Sequence, residues 1–353
     1  MSVRSFLIWT VLALASLVAA FAVSLGQPET AKVELANEPV FPALRADPDA
    51  VAKVSLTTTA GEIVVGRDDQ GAWRVESKAG YAADAKKVRA LVVGLSDMRL
   101  AKAMTKNPER FARLEVEDHD AEGAQSRLIR LEGKGGQVLA EVLLGKSRAG
   151  YTAGREGGSY LRRVGENQAW LATGSLEIES EPVDWLVKEV VNIDDDQVKS
   201  VEITPPEGEA FAVARPDSDA EFSLDRLPEG RSLEESEVNR LASGLAFVNL
   251  DDVTPKSEAA LTGTPHKARF TTFDGLAVTA ELFAQQGEGE ARWVVFAAEQ
   301  VGEGESEEAQ AARALAAEIN ARVEGWAYRL PSYVDERLTM PLEKLLSESD
   351  GTS

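Results

Sequence analysis

The chain contains no cysteine. That excludes disulfides, thiolate metal ligands, a cysteine nucleophile and a lipid-anchored N-terminal cysteine, and it is compatible with either side of a membrane. Histidine is almost as scarce, with His119 and His266 the only two. Each stands alone, in a polar or strand-edge context, and both read as surface residues. A zinc site would have to gather carboxylates around one of them, and serine catalysis would need one as base without any Gly-x-Ser-x-Gly elbow. Positive charge is in deficit, with 38 basic against 59 acidic side chains and a formal net charge of -21. Such a field repels phosphate backbones, so nucleic-acid binding is excluded as a reading, and the acidity reads as solubility. Aromatic residues make up only 6% of the chain. They recur at matched places: Trp73 answers Phe222, and Trp170 lies near the place taken by Trp326 and Tyr328. Repetition on strands points to core anchors rather than ligand-stacking platforms.

What is present is a pattern that occurs twice. Val51, Val54, Leu56 and Gly61 match Val198, Val201, Ile203 and Gly208 at one offset. After a small insertion, Leu91, Gly94, Leu95 and Leu100 match Leu241, Gly244, Leu245 and Leu250. The unit is about 145 residues, too long for a solenoid repeat and the size of a domain. A length of 353 residues with 44% hydrophobic content likewise favours two cores.

Ahead of the repeats, Phe6 to Leu25 is an uncharged apolar run of 20 residues preceded by Arg4. As a helix it reaches about 30 Å, the thickness of a hydrocarbon core. The positive charge before it keeps the N-terminus in the cytoplasm and exports the rest. Ala20-Phe21-Ala22 resembles a signal-peptidase site, but the apolar run continues past it, which favours an uncleaved anchor. Gln27 to Ala50, with four prolines, reads as an extended spacer.

The first repeat predicts strands at Val54–Thr57, Ile63–Val65 and Trp73–Val75, then a helix whose apolar face is Val88, Leu91, Val92, Leu95 and Met98. Gly94 and Gly244, one in each matched helix, predict close packing against a sheet. Residues 106–124 read as a polar loop. Further strands are expected at Ser126–Leu131, Val138–Leu144, Ser159–Arg163 and Ala169–Leu171, and an amphipathic segment at Asp184–Val191. In the second repeat Ser232 and Glu235 have capping-box spacing, ahead of a helical face of Val238, Leu241, Leu245 and Val248. Strands are expected at Lys267–Phe273, Leu276–Phe283 and Arg292–Phe296. Glu299–Glu308, with five glutamates and no basic residue, reads as a solvated loop. Ala309–Val323 reads as an extra helix.

The expected organisation is therefore an N-terminal transmembrane anchor over 1–26, a spacer over 27–50, tandem homologous α+β repeats over 51–193 and 194–347, and a short disordered tail over 348–353. Each repeat is expected to be an antiparallel sheet with a packed amphipathic helix.

Chemistry is harder to find. Gly145-Lys146-Ser147 resembles the end of a phosphate loop, but Ala140 stands where the opening glycine is required, so a hairpin turn is the reading. Asp194-Asp195-Asp196 lacks the alternating ligands and closing glutamate of a calcium loop and reads as a solvated linker. Carboxylate pairs for acid–base work are numerous, and none is marked out. No catalytic, cofactor-binding or metal residue is assigned.

Strand-Gly-strand followed by Trp73-Arg74-Val75-Glu76, then Ala83-Asp84-Ala85 with Val88, Leu91 and Leu95, and later Gly158-Ser159-Tyr160-Leu161-Arg162, resembles the bacterial family known as domain of unknown function 4340. The resemblance covers nearly everything after the spacer, once per repeat. Departures are the acidic insertion, the alanine-rich helix and Phe222 in place of tryptophan. Members are commonly encoded beside ABC-type transporter components like those of gliding-motility systems. The resemblance therefore implies an accessory subunit of such a system, and it carries over no catalytic residue.

The expected function is a non-enzymatic protein of the inner membrane, single-pass, with its bulk on the periplasmic side. Its expected partners are an ABC transporter permease or related envelope proteins, and the bilayer through Phe6–Leu25. An envelope hydrolase using paired carboxylates, or a ligand-binding module with a pocket between the repeats, are the alternatives.

Overall fold

Val51, Val54 and Leu56 are all buried, although a strand that alternates its faces should point residues 51 and 54 in opposite directions. A register shift between Val51 and Lys53 resolves the conflict, since a bulge of one residue returns Val51 to the inner face. Val198, Val201 and Ile203 are buried at the same spacing, with the same shift between Val198 and Ser200. The three-then-two spacing in the sequence is thus the signature of a bulge.

The computed structural model describes residues 37–148, 158–174, 176, 178–284, 292–302 and 306–348. The apolar run Phe6–Leu25, residues 27–36 of the expected spacer and the tail after 348 lie outside the described residues. Residues 37–50 are not the extended spacer expected: they turn into a short helix over Pro42–Ala46 and bury Val40, Phe41 and Leu44. Among the described residues no helix is long and apolar enough to cross a membrane. The chain divides into two compact units, one built from the residues up to Val64 with Lys86–Ser180, the other from Val65–Ala85 with Glu181 onward. The expected first repeat contains 65–85, which groups with the second unit.

The first sheet draws on β1 (Val51–Thr58), β2 (Gly61–Arg67), β3 (Trp73–Val75), β4 (Tyr81–Ala82), β5 (Arg99–Thr105), β6 (Arg127–Gly133), β7 (Val138–Arg148), β8 (Gly158–Arg163) and β9 (Ala169–Thr173). Their order is β4-β3-β2-β1-β6-β7-β8-β9-β5. Among the described residues two helices belong to the first unit. The short α1 (Pro42–Ala46) buries Leu44, and α2 (Ala85–Asp97) buries Val88, Leu91, Val92 and Leu95, four of the five residues of the predicted face; the fifth, Met98, is buried just past the end of the helix.

In the second unit a short strand β10 (Glu189–Val191) precedes the main sheet. The strands are then β11 (Val198–Thr204), β12 (Phe211–Ala214), β13 (Ser223–Leu224), β14 (Arg231–Leu233), β15 (Val248–Asn249), β16 (Asp252–Pro255), β17 (His266–Thr272), β18 (Leu276–Ala284), β19 (Arg292–Gln300), β20 (Trp326–Arg329) and β21 (Leu346–Glu348). The main sheet runs β13-β12-β11-β17-β18-β19-β20-β16, while β10 pairs with β15 and β14 with β21. Helices α3 (Glu235–Ala242), α4 (Glu307–Val323) and α5 (Ser332–Leu338) complete the unit. Set β11, β12, β13, β17, β18, β19, β20 and β16 against β1, β2, β3, β6, β7, β8, β9 and β5, and the two strand orders coincide. The protein is a mixed α+β chain dominated by antiparallel sheets.

Several local expectations fail for identifiable reasons. Ser232 does not cap a helix: it lies in β14 opposite Ser347, with the two hydroxyls 2.9 Å apart, and α3 begins at Glu235 without a side-chain cap. Pairing with β21 has overridden the local capping signal. Val248 belongs to β15 rather than to the helix, and Asp184–Val191 is a 3-10 turn over Pro182–Trp185 followed by β10. Gly145, Lys146 and Ser147 are strand residues of β7, not a turn. The acidic insertion is shorter than expected, since Glu299 lies in β19 and Glu307 and Glu308 start α4. Ser306 caps α4 by accepting from the Ala309 amide. A Cβ on Gly244 would come 2.8 Å from Phe270 of β17, so that glycine does pack on the sheet. Gly94 is instead crowded by the Leu176 side chain, which comes after β9.

Candidate functional site

The inner face of each sheet carries the helices; the outer face divides into two halves. In the first unit the segment after β5 folds over β8 and β9, and Phe111, Val116 and Ala169 form a small second core with Met104, Leu114 and Tyr160. In the second unit Trp293, Val295 and Ala327 do the same with Ala259, Leu261 and Phe283. Leu161 pairs with Trp170 as Val294 pairs with Tyr328, so Arg162 stands where Val295 stands in the other sheet. The buried Arg162 guanidinium donates to the carbonyls of Val116 (2.8 Å) and Glu166 (3.1 Å), pairs with Asp118 and lies over the Phe111 ring. It therefore ties down the loop with directed side-chain bonds, where the second unit has Val295 at that position and Arg329 stacked over Trp293.

The other half of the outer face is open. On the second sheet the two-residue period brings Glu202 and Thr204 of β11, Lys267 and Arg269 of β17, Thr279 and Glu281 of β18, and Ala297 and Glu299 of β19 to one surface. Short Thr204, Thr279 and Ala297 among long charged neighbours leave a trough of about 440 Å³. Lys267 Nζ lies 2.6 Å from Glu281, and Arg269 Nη1 lies 2.7 Å from Glu299. The first sheet has an arginine at the matching place, Arg130, opposite Ser55 as Arg269 is opposite Glu202. It donates to Glu132 and Glu141, both at 2.8 Å, and these bonds raise its already high pKa. This surface can make many weak polar contacts across its breadth. It offers no apolar pocket of the kind that keeps a general-acid carboxyl protonated.

The residues singled out in the sequence do not gather there. His119 is exposed, and Asp194, Asp195 and Asp196 lie exposed in and before a 3-10 turn over Asp195–Gln197. Among the described residues no group of three or more His, Asp or Glu side chains could hold a metal. The aromatic expectation holds for Tyr328, which is fully buried, but Trp73, Trp170, Trp326 and Phe222 are only half-buried. Arg67 stacks over Trp73 at 4.6 Å and Arg215 over Phe222 at 4.6 Å, so these rings serve as platforms for the protein's own arginines.

His266 is half-buried rather than exposed. It pairs with the buried Leu282, shares the inner face with Ala268 and Phe270, and buries its Nε2 without a hydrogen-bond partner. The alternation of His266, Ala268 and Phe270 was the signal for this. Burial first, and then the nearby Arg292, itself paired with Asp335, push the imidazole down to about 4. Between about pH 6.5 and 4 the unfolded chain therefore binds a proton that the folded chain refuses. The stability from neutral His266 is complete above that window and is lost as pH falls through it. His266→Gln is expected to lose less stability than wild type between pH 7 and pH 5 in urea denaturation. Parallel losses would show that the folded protein does not hold His266 neutral.

These features define a class: a mixed α+β protein whose antiparallel sheets keep helices on one face and leave a polar strip of the other open. The family described as Domain of unknown function (DUF4340) matches residues 73–265, which run from β3 to the residue before β17. The chain belongs to that family. No curated protein and no solved structure matches it.

Proposed function

We propose that this chain is a non-enzymatic, membrane-anchored envelope protein made of two homologous α+β repeats, acting as a partner-binding accessory subunit of an ABC-type transport system. The observation that carries the reading is the open outer strip of the second sheet. Its cations are already joined to carboxylates within a broad trough, an arrangement suited to a wide polar protein surface rather than to turning over a substrate. Duplication is supported by the shared strand order and by the bulges at Val51 and Val198. The anchor rests on the apolar run Phe6–Leu25, and the transport context on the family resemblance.

The test is co-purification of the full chain from its own membranes in mild detergent, with chemical cross-linking before extraction. A cross-linked permease or ATPase subunit is the expected result. Recovery as a lone species, with no transporter subunit in the cross-linked fraction, would sink the proposal.

A further inference from the structure

Phe247 is the most exposed large apolar side chain among the described residues, at 62%, and its backbone has φ +52°. Only glycine, and to a lesser degree asparagine and aspartate, enters that region without penalty, so a phenylalanine there is an outlier that its surroundings must enforce. Two asparagines enforce it. The Phe247 amide donates to Asn192 Oδ1 at 2.9 Å, and its carbonyl accepts from Asn249 Nδ2 at 3.3 Å. Ile193 N–H donates to the Leu245 carbonyl and Leu250 N–H to the Lys188 carbonyl, which brace both flanks. The fold does not require an aromatic ring here. By the Leu100 and Leu250 match, the corresponding residue of the first repeat is Asp97, which is exposed and paired with Arg45. The ring makes no aromatic or cation contact among the described residues. A large apolar group held rigidly in water, in a conformation that costs stability, is the arrangement of a preorganised binding anchor.

Its neighbourhood indicates what it fits. Asn192 leads directly into Ile193 and the exposed Asp194, Asp195 and Asp196, and the turn carrying that triplet packs beside Ser243–Leu245, two residues before Phe247. Arg215 donates to the Asp195 carbonyl, which holds the turn in place while its three carboxylates face solvent. An aromatic knob is thus bordered by a fixed acidic ridge. We propose that Phe247 and Asp194–Asp196 form the docking point for a partner protein, with Phe247 entering an apolar pocket whose rim is basic. The proposal rests on the partner-binding reading above and names the surface that would serve it.

The experiment places a photo-reactive benzophenone side chain at position 247 of the full chain in its native membranes. A second version carries the group at Leu227, another exposed apolar position. Cross-linked peptides are mapped by mass spectrometry. The expected result is an adduct at 247 to an apolar partner segment flanked by lysine or arginine, falling at least about tenfold when Asp194, Asp195 and Asp196 are all changed to Asn. Adducts from Leu227 but not from 247 would overturn this surface while leaving the partner-binding reading standing. An adduct to a second copy of this chain would overturn the hetero-partner, and no adduct at either position would count against both readings. A companion variant, Phe247→Asn, separates binding from packing. Asparagine tolerates the left-handed backbone, so the melting temperature is expected to hold or rise by a few degrees while partner recovery drops about thirtyfold. A lowered melting temperature would make Phe247 a packing residue and overturn the proposal.

Discussion

Tyr81→Ala is expected to destabilise the second unit by about 3–5 kcal/mol, the range for emptying the site of a buried aromatic side chain. The Tyr81 ring is 2% exposed, meets Trp326 edge-on at 5.0 Å and lies 6.2 Å from the Tyr328 ring. It is how the 65–85 stretch is held. Around it, the Asp84 amide donates to the Trp185 carbonyl, Val187 N–H to the Ala82 carbonyl, and Lys78 pairs with Asp252 at 2.6 Å. The effect belongs to the ring rather than to its hydroxyl, which is buried, has its pKa raised by that burial, and interacts with the Tyr328 hydroxyl without the geometry of a good hydrogen bond. Tyr81→Phe is therefore expected to be neutral or mildly stabilising. Urea denaturation of the full chain, with limited proteolysis of residues 65–85 as a second probe, checks both. Equal losses in the two variants would mean that the hydroxyl carries the contribution.

Gly145→Ala is expected to cost about 3 kcal/mol, at the upper end of overpacking penalties, because the atoms in the way are backbone. A Cβ at 145 would overlap the Leu114 carbonyl oxygen and come 2.9 Å from that of Glu115. The crossing segment is also fixed from elsewhere: Lys146 N–H donates to the Leu114 carbonyl at 3.2 Å, and Arg127 reaches the Gly145 carbonyl at 2.7 Å. Displacing it would loosen Phe111 and Val116 from Ala169 and strain the bond from Arg162 to Val116. Faster proteolysis between 107 and 125, with a lower denaturation midpoint, is the expected readout. An unchanged midpoint would show that the segment can lift without loss.

How much of this could be read in advance depends on the range over which each signal acts. The helical face of Val88, Leu91, Val92 and Leu95 is a local period, and α2 follows it. The Val51-Val54-Leu56 spacing reported buried strand positions, and even its irregularity was informative. Gly145 was misread because its partner is a polar, aperiodic loop, so nothing near residue 145 tells of an overhead crossing. Ser232 and Glu235 spelled a sound local cap, but the partner that captured Ser232 is Ser347, from the far end of the chain. Phe247 is invisible for a different reason. Its exposure follows from a backbone torsion set by Asn192 and Asn249, and no propensity scale assigns that torsion to phenylalanine. The open trough was likewise hidden, because it depends on which strands lie side by side.

Since each compact unit is assembled from two separate stretches of chain, order of synthesis matters. Tyr81 emerges from the ribosome long before its ring partners Trp326 and Tyr328, which lie more than two hundred residues further along the chain. Contacts of such sequence separation are slow to form, and an apolar ring awaiting its partners is a site for mispairing. Maturation of this protein is therefore expected to wait on Trp326–Arg329: a chain halted before Trp326 would present 65–85 to chaperones and proteases, whatever the state of the strands already made.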